Sequence, residues 1–177
     1  MAYCELHYRN KSLGQTESVS LILPDSHIES PGPYPVIYLL HGIGDNHTDW
    51  MRRTRIEEYV RDLPLIVAMP TTPWQSMYAD AADGPSSATA IGIDLVNFVD
   101  SRFHTRKDRE GRAVCGLSMG GYGALHLAFR FPERFGAAVS HSGVLALGSS
   151  HEPAVFGDEE SARSGRERMH RIAQRVF

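Results

Sequence analysis

The stretch CGLSMGGYGAL, residues 115–125, places four glycines around a single serine, Ser118. Before it, RAVCGL (112–117) is an apolar run with the length of a buried strand, and after it a helical pattern continues to Pro132. The pattern G-x-S-x-G at 116–120 therefore lies between a predicted strand and a predicted helix, which is the context of a nucleophile elbow. Such a sharp turn strains the serine backbone and leaves no room for a Cβ atom two positions away on either side. We therefore predict that Ser118 is a nucleophile presented above the end of a strand.

Three other apolar runs have the length of a buried strand, and helical patterns separate the four runs. These runs are VIYLLH (36–41), LIVAM (65–69) and AAVSHS (137–142). In the first helical pattern the apolar residues that share a face are Trp50, Ile56, Tyr59, Val60 and Leu63. The second pattern has Ser86 or Ser87 as its N-cap, and its apolar face holds Ile91, Leu95, Phe98 and Val99. Strands that alternate with helices predict a parallel sheet of the α/β class, with the functional loops beyond the carboxyl ends of its strands.

The N-terminal segment predicts an antiparallel addition to that sheet. Residues 1–10 alternate between apolar and polar side chains, and ESVSLILP (17–24) ends in an apolar run closed by a proline. Gly14 lies near the turn between the two segments. We therefore expect an N-terminal β-hairpin that precedes the first parallel strand.

The loop after the first core strand, which begins His-Gly-Ile-Gly, is the second candidate for chemistry. In serine hydrolases of this architecture, that loop supplies one backbone N–H to the oxyanion hole, and the residue after the serine supplies the other. Gly42 would let the backbone approach the site closely. We predict the N–H groups of Ile43 and Met119 as the two donors, with Gly44 as the alternative to Ile43.

Other polar side chains of this loop have structural interpretations. We expect His41 to orient the loop by hydrogen bonding rather than to take protons, because the general base of such enzymes follows the serine in the chain. Asp45, His47 and Asp49 could be taken for a metal site, but three side chains this close in sequence converge poorly on one ion. We favour loop and helix-cap roles for them, and we predict neither a metal nor an organic cofactor.

Three blocks of the chain resemble a known family. HGIGDNHTDW (41–50), GLSMGGYGAL (116–125) and FPERFGAAVSHSG (131–143) are similar to segments of the esterase family of α/β hydrolases that includes esterase D, tributyrin esterases, feruloyl esterases and S-formylglutathione hydrolases. Residues 1–14 and 47–60 look most like the tributyrin-esterase branch. The resemblance implies an α/β-hydrolase fold and a serine carboxylesterase that hydrolyses short-chain acyl esters through an acyl-enzyme. It implies S-formylglutathione hydrolase or feruloyl esterase activity as alternatives.

The resemblance also implies where the substrate binds. In the tributyrin-esterase branch the loop after the second core strand lines the acyl pocket, and here that loop is PTTPWQSMYADAADG (70–84). The side chains that it offers are Trp74, Met77, Tyr78 and Asp80, and the substrate-binding residues implied are Trp74 and Tyr78 together with His41 and Gly42. Anchoring of the loop on the core is the alternative role for Trp74 and Tyr78.

The other members of a catalytic triad are not evident in the sequence. The family order is serine, then an acid, then a histidine, and the histidines past the serine are His126, His141, His151 and His170. We expect His126 to face a neighbouring element from the middle of its helix. His141 ends its strand near Ser118 and is a candidate base, but it has no obvious orienting acid. A pair of Asp158 with His151 or His170 is the remaining option.

The missing acid and histidine lead to an expectation about the domain. We expect one α/β-hydrolase domain over 1–177 that lacks the C-terminal strands, with its core at 1–148 and the start of a cap or insertion helix at 149–177. The last strand of such a sheet would leave an exposed apolar edge. The competing hypothesis is a catalytically inert hydrolase-like fragment that acts as an interaction module.

Composition limits the kinds of partner. The formal net charge of −3 argues against a nucleic-acid surface, which needs a basic face. No apolar run approaches the roughly 18 residues of a membrane span. With two cysteines and no signal-like segment, we predict a cytoplasmic protein whose partner is a small-molecule ester, and the composition is compatible with a homo-oligomer.

Overall fold

The sheet is built from the four apolar runs and the N-terminal hairpin. The computed structural model describes residues 1–25 and 31–145. The strands are β1 (Ala2–Asn10), β2 (Gln15–Leu23), β3 (Val36–Leu40), β4 (Ile66–Pro70), β5 (Arg112–Leu117) and β6 (Ala137–His141). They form a sheet in the order β1-β2-β4-β3-β5-β6, in which β2 pairs antiparallel with β1 and β4, and the other pairs are parallel. The predicted α/β sheet with its N-terminal hairpin is confirmed, and Gly14 makes the hairpin turn with a φ of +65°.

Helices connect the parallel strands. They are α1 (Asp49–Arg53), α2 (Ile56–Val60), α3 (Ser87–Thr89), α4 (Val96–Arg102) and α5 (Met119–Arg130), with a π-helical stretch, Ala90–Leu95, between α3 and α4 and short 3₁₀ turns at Trp74–Ser76 and Arg109–Gly111. Across the part of the chain that the structure describes, no helix has the length and apolarity needed to cross a membrane.

The core has one layer on each face of the sheet, because successive strand residues point to opposite sides. Val114 of β5 packs in the cluster that also holds Leu95 and Leu127, so the π-helical stretch and α5 cover that face. Cys115, the next residue, packs in the second cluster with Val60 of α2. The second predicted helical face is confirmed, since its members Ile91, Leu95 and Val99 are buried and Phe98 packs on the same cluster.

The first predicted helical face is wrong in part. Val60 is buried as expected, but Tyr59 and Leu63 are 63% and 44% exposed. The reason is a break at Thr54, whose backbone is extended (φ −135°, ψ 175°) and separates α1 from α2. A periodic pattern that continues across such a break no longer marks a single face.

The strand β6 is less buried than its apolar sequence predicts. It lies at the edge of the sheet beside β5, and Val139 at its centre is 48% exposed. Within the described residues, this matches the expected exposed apolar edge. The predicted helix at 149–177, the last residues of the predicted core, and the candidates Asp158, His151 and His170 lie outside the described residues.

Candidate active site

Ser118 occupies a strained turn between β5 and α5. Its backbone has φ 55° and ψ −113°, a conformation that residues with a Cβ atom rarely adopt. A Cβ atom on Gly116 would lie 2.3 Å from the carbonyl oxygen of Gly120, and one on Gly120 would lie 2.4 Å from the carbonyl oxygen of Leu40. Both contacts are with backbone atoms, so both positions require glycine. The predicted strain and the predicted steric role of the two glycines are confirmed.

Hydrogen bonds fix the serine backbone on both sides. The N–H of Ser118 donates to the carbonyl oxygen of His141 at 2.8 Å, which ties the turn to the end of β6. The carbonyl oxygen of Ser118 accepts from the N–H of Tyr122 at 3.0 Å and closes the first turn of α5. The side chain is partly exposed. Met119, the next residue, is the first residue of α5, so its N–H belongs to the positive end of a twelve-residue helix.

The loop after β3 places a tight turn against the serine. The N–H of Asp45 donates to the carbonyl oxygen of Gly42 at 3.3 Å, and Gly44 has a φ of +83°, which closes a turn over residues 42–45. We call these four residues the oxyanion turn, after the role that the sequence predicts for Ile43. A Cβ atom on Gly42 would lie 3.9 Å from the Cβ atom of Ser118, so the turn lies beside the elbow.

His41 holds the oxyanion turn from inside the protein. The side chain is 2% exposed, and its Nδ1 lies 2.8 Å from the carbonyl oxygen of Gly42. Its Nε2 accepts a hydrogen bond from the N–H of Thr72 at 3.1 Å, so the proton of the neutral ring is on Nδ1. Burial lowers the pKa of His41 and keeps the ring in this neutral form.

The contact of His41 with Gly42 also sets the direction of the predicted oxyanion donor. The carbonyl of Gly42 and the N–H of Ile43 belong to one trans peptide unit, in which they point in opposite directions. When the ring of His41 holds the carbonyl, the N–H of Ile43 is aimed the other way. The unit joins the buried Gly42 to Ile43, which is 45% exposed.

His41 and Tyr78 both make structural contacts inside the protein. Tyr78 is also fully buried, and its hydroxyl donates to the carbonyl oxygen of His41 at 3.0 Å. The substrate-binding role implied for both residues stays a prediction. Loop anchoring, the alternative considered for Tyr78, is what the structure shows. Trp74 is partly buried and packs on the main core cluster. Met77 is fully buried as well.

Asp80 is engaged in the same loop. Its carboxylate accepts from the N–H of Thr89 at 3.0 Å, from the hydroxyl of Thr89 at 2.7 Å and from Arg130 at 2.8 Å. These contacts fasten the loop to α3 and to the end of α5. Of the four side chains named in this loop, Met77 and Tyr78 are buried and Trp74 packs on the core, so the lining of an acyl pocket by this loop stays a prediction.

The candidate histidines differ in their surroundings. The side chain of His141 is exposed at the end of β6, and within residues 1–25 and 31–145 no hydrogen bond joins its ring to Ser118. His126 packs its ring on Tyr122 at a centroid distance of 5.6 Å, and burial together with the charge of Arg130 lowers its pKa. Tyr122 belongs to the same helix, α5, so the expectation that His126 faces a neighbouring element stays a prediction. The general base of the elbow is not among these contacts.

Asp45, His47 and Asp49 are engaged by protein groups, and within the described residues no cluster of three potential metal ligands is found. His47 places Nδ1 2.7 Å from the hydroxyl oxygen of Thr71 and Nε2 2.9 Å from a carboxylate oxygen of Glu5. Asp49 accepts from the N–H of Asn46 at 2.8 Å at the start of α1. These are the loop and helix-end roles favoured for them.

Arg53 is a residue of the site that the sequence analysis missed. Its Nη1 lies 2.8 Å from Asp45 of the oxyanion turn, and its Nε lies 3.0 Å from Asp49 of α1. The guanidinium thus bridges the turn and the helix. An open pocket of about 110 Å³ lies here, lined by Arg53, both carboxylates, Trp50, Gly42 and Leu117 among others. The spacing of Asp49 and Arg53, four positions apart, was the available signal.

Comparisons with known proteins identify the family of this chain. The chain matches the model of the family described as "Putative esterase" over residues 10–175. An esterase of Mycobacterium tuberculosis is 36% identical over 148 residues, which are 79% of this chain and 32% of that protein. The chain therefore spans about a third of the length of this relative.

Solved structures show the same fold. The S-formylglutathione hydrolase FrmB of Staphylococcus aureus superposes with a TM-score of 0.74 at 29% identity, over 94% of this chain and 67% of that one. A fluorophosphonate-binding serine hydrolase of the same organism also gives a TM-score of 0.74 at 29% identity, over 98% of this chain and 72% of that one. This protein has the α/β-hydrolase fold and belongs to that esterase family.

Proposed function

We propose that this chain carries the nucleophile and the oxyanion hole of a serine carboxylesterase for short-chain acyl esters. The observation that carries the proposal is the strained backbone of Ser118, with the oxyanion turn lying beside it. A protein retains such strain where the surrounding structure determines it, most often at functional sites. The elbow and the turn come from the ends of β5 and β3, which are neighbours in the sheet.

The chemistry assigned to these groups is acyl transfer in two steps. The hydroxyl oxygen of Ser118 attacks the ester carbonyl carbon, and the carbonyl electrons move to the oxygen, which accepts hydrogen bonds from the N–H groups of Ile43 and Met119. The C–O bond to the alcohol then breaks, and the alcohol leaves with a proton. Water attacks the acyl-serine, releases the carboxylic acid and restores the hydroxyl.

The proton of Ser118 must pass to a base, and the described residues offer no imidazole that is hydrogen-bonded to it. Covalent reaction at Ser118 and turnover of an ester are therefore two separate measurements. A serine with an oxyanion hole but no triad partner retains a rate advantage of roughly 10³ to 10⁴ over water. We expect covalent labelling to be measurable under conditions where ester turnover is slow.

The experiment uses a fluorophosphonate probe, together with p-nitrophenyl acetate and butyrate, on the 177-residue chain. We expect labelling that is lost in Ser118→Ala and kept in Ser142→Ala. Ser142 is a matched control, since it is exposed, follows the neighbouring strand and also has a positive φ, of 49°. Labelling that survives in Ser118→Ala would overturn the assignment of the nucleophile. Absence of both labelling and turnover would support the inert interaction module instead.

Thioester hydrolysis is the second candidate function. It is favoured by the likeness to the S-formylglutathione hydrolase FrmB at 29% identity, over 94% of this chain. Ser118 and the two N–H groups would serve a thioester in the same way, because the oxyanion forms on the same carbonyl oxygen. Acetate esters of p-nitrophenol and of p-nitrothiophenol differ only in the leaving atom. A rate ratio that strongly favours the thioester, beyond its ratio in buffer, would favour the second candidate.

A further inference from the structure

Two adjacent residues of the loop after β4 have an unusual backbone. Met77 and Tyr78 have φ angles of 50° and 58°, although neither is glycine and both are fully buried. In the described residues, the other non-glycine positions with positive φ are Ser118 and Ser142. All four follow the carboxyl ends of β4, β5 or β6, where the candidate site lies. Consecutive residues in this conformation persist only where surrounding contacts determine it.

The strained segment brings the side chain of Tyr78 to the base of the site. Its ring fits against Gly123 of α5, where a Cβ atom would lie 2.5 Å from the ring. The ring centroid is 5.8 Å from that of His41. The hydroxyl donates to the carbonyl oxygen of His41, and burial raises the pKa of Tyr78 well above its usual value, so it remains a donor. One phenol therefore contacts the nucleophile helix and the strand end that leads into the oxyanion turn.

These contacts fix two consecutive peptide units. The hydroxyl of Tyr78 holds the carbonyl of His41, and the ring of His41 holds the carbonyl of Gly42. The second of these units carries the N–H of Ile43. A shift of the first unit changes the direction of the second, so the position of the donor depends on the buried hydroxyl of Tyr78.

We propose that Tyr78 is a positioning residue, whose hydroxyl sets the direction of the Ile43 N–H through His41 and thereby sets the reactivity of Ser118. This inference rests on the proposed function for its effect on reactivity, but its effect on the oxyanion turn can be measured separately. If Tyr78 only filled the core, its ring would matter and its hydroxyl would not.

The test is Tyr78→Phe, with Tyr38→Phe as the matched control. Tyr38 is fully buried in the same core cluster, and among the described residues its hydroxyl has no hydrogen-bond partner. Each substitution removes one buried oxygen and keeps the ring. The readouts are amide hydrogen exchange of residues 41–45, the rate constant of fluorophosphonate labelling, and the melting temperature.

We expect Tyr78→Phe to speed exchange in residues 41–45 and to slow labelling about tenfold, because small misplacements of a reacting group cost one to two orders of magnitude. Tyr38→Phe should change neither. Unchanged exchange in Tyr78→Phe would overturn the inference, as would faster exchange with an unchanged labelling rate.

If the unsubstituted chain is not labelled at all, the proposed function fails and the exchange measurement decides the inference alone. Faster exchange confined to Tyr78→Phe would then support the positioning role, and equal exchange in both variants would overturn it. The inference would also be overturned if Tyr78→Phe alone lowered the melting temperature strongly and raised amide exchange evenly over the whole chain. The hydroxyl would then stabilise the whole fold and not the oxyanion turn in particular.

Discussion

The Nε2 atom of His41 accepts a hydrogen bond from the backbone N–H of Thr72 at 3.1 Å. This contact joins the loop after β3 to the loop after β4 and needs a free electron pair on Nε2. Protonation of the ring would turn that acceptor into a donor facing another donor. The connection between the two loops therefore depends on a neutral His41.

The first prediction concerns the acid side of the stability profile. Burial lowers the pKa of His41 below its unfolded value of 6.5, so between these two values the unfolded chain binds more protons than the folded chain. His126 shifts in the same direction, because of burial and Arg130. The contribution of both rings is fully present above pH 6.5. We expect the melting temperature to fall as the pH drops below 6.5 and this contribution to level off below the folded pKa values.

His126→Phe separates the two rings. Phenylalanine keeps the stacking on Tyr122 and removes the Nε2 atom, which is buried and has no hydrogen-bond partner within the described residues. We expect the variant to match the parent near pH 8 and to lose less stability at pH 5.5. Identical melting profiles over this range would show that His126 does not contribute to the acid sensitivity.

The second prediction concerns the strain at Ser118. Glycine adopts its φ of 55° without penalty, whereas a serine there costs about 1 to 3 kcal/mol. Once the entropic cost of a glycine is subtracted, Ser118→Gly should raise the unfolding free energy by about 1 kcal/mol. Ser118→Ala keeps the Cβ atom, so its unfolding free energy should stay within about 0.5 kcal/mol of the parent. Urea unfolding measures both. If the glycine variant is less stable than the alanine variant, the strain has been misjudged.

The third prediction concerns the glycines of the elbow. A methyl group on Gly120 would meet the carbonyl oxygens of Leu40 and His41 at 2.4 and 2.7 Å, and backbone cannot yield cheaply. We expect Gly120→Ala to lose about 3 kcal/mol or more of unfolding free energy. Gly14→Ala is the control, because Gly14 has a φ of +65° but nothing within 4 Å, and about 1 kcal/mol should be lost there. Similar losses would mean that close approach does not determine position 120.

Local rules were enough to predict the elbow from the sequence. The strain of Ser118 and the need for Gly116 and Gly120 follow from sterics within a few residues, so G-x-S-x-G between a strand and a helix already contains them. The parallel strands could also be predicted from the sequence, because a buried parallel strand is a short apolar run. The resemblance to the family also pointed to the loop after β3, whose turn over residues 42–45 lies beside the elbow.

Contacts between distant segments could not be predicted in this way. Tyr78 looked like a pocket residue because it is aromatic and in the right loop, and only its contacts with His41 and Gly123 show that it is buried. The break at Thr54 also left no clear sign, since threonine is tolerated within helices and the apolar spacing continues past it.

The last prediction concerns Arg53, which bridges Asp45 of the oxyanion turn and Asp49 of α1. Its side chain is 67% exposed, so the ion pairs should contribute less than about 1 kcal/mol to stability. The ion pairs should affect the position of the oxyanion turn more than the stability of the whole chain, since Asp45 is the last residue of that turn. We expect Arg53→Met to leave the melting temperature within a few degrees and to slow fluorophosphonate labelling several-fold. In the parent, about 0.5 M salt screens the ion pairs of Arg53 and should slow labelling. In Arg53→Met the labelling rate should therefore no longer depend on salt. Arg61→Met, at an arginine of similar exposure on the surface after α2, is the control and should change nothing. A labelling rate in Arg53→Met that equals the parent at low salt would show that the turn keeps its position without the bridge.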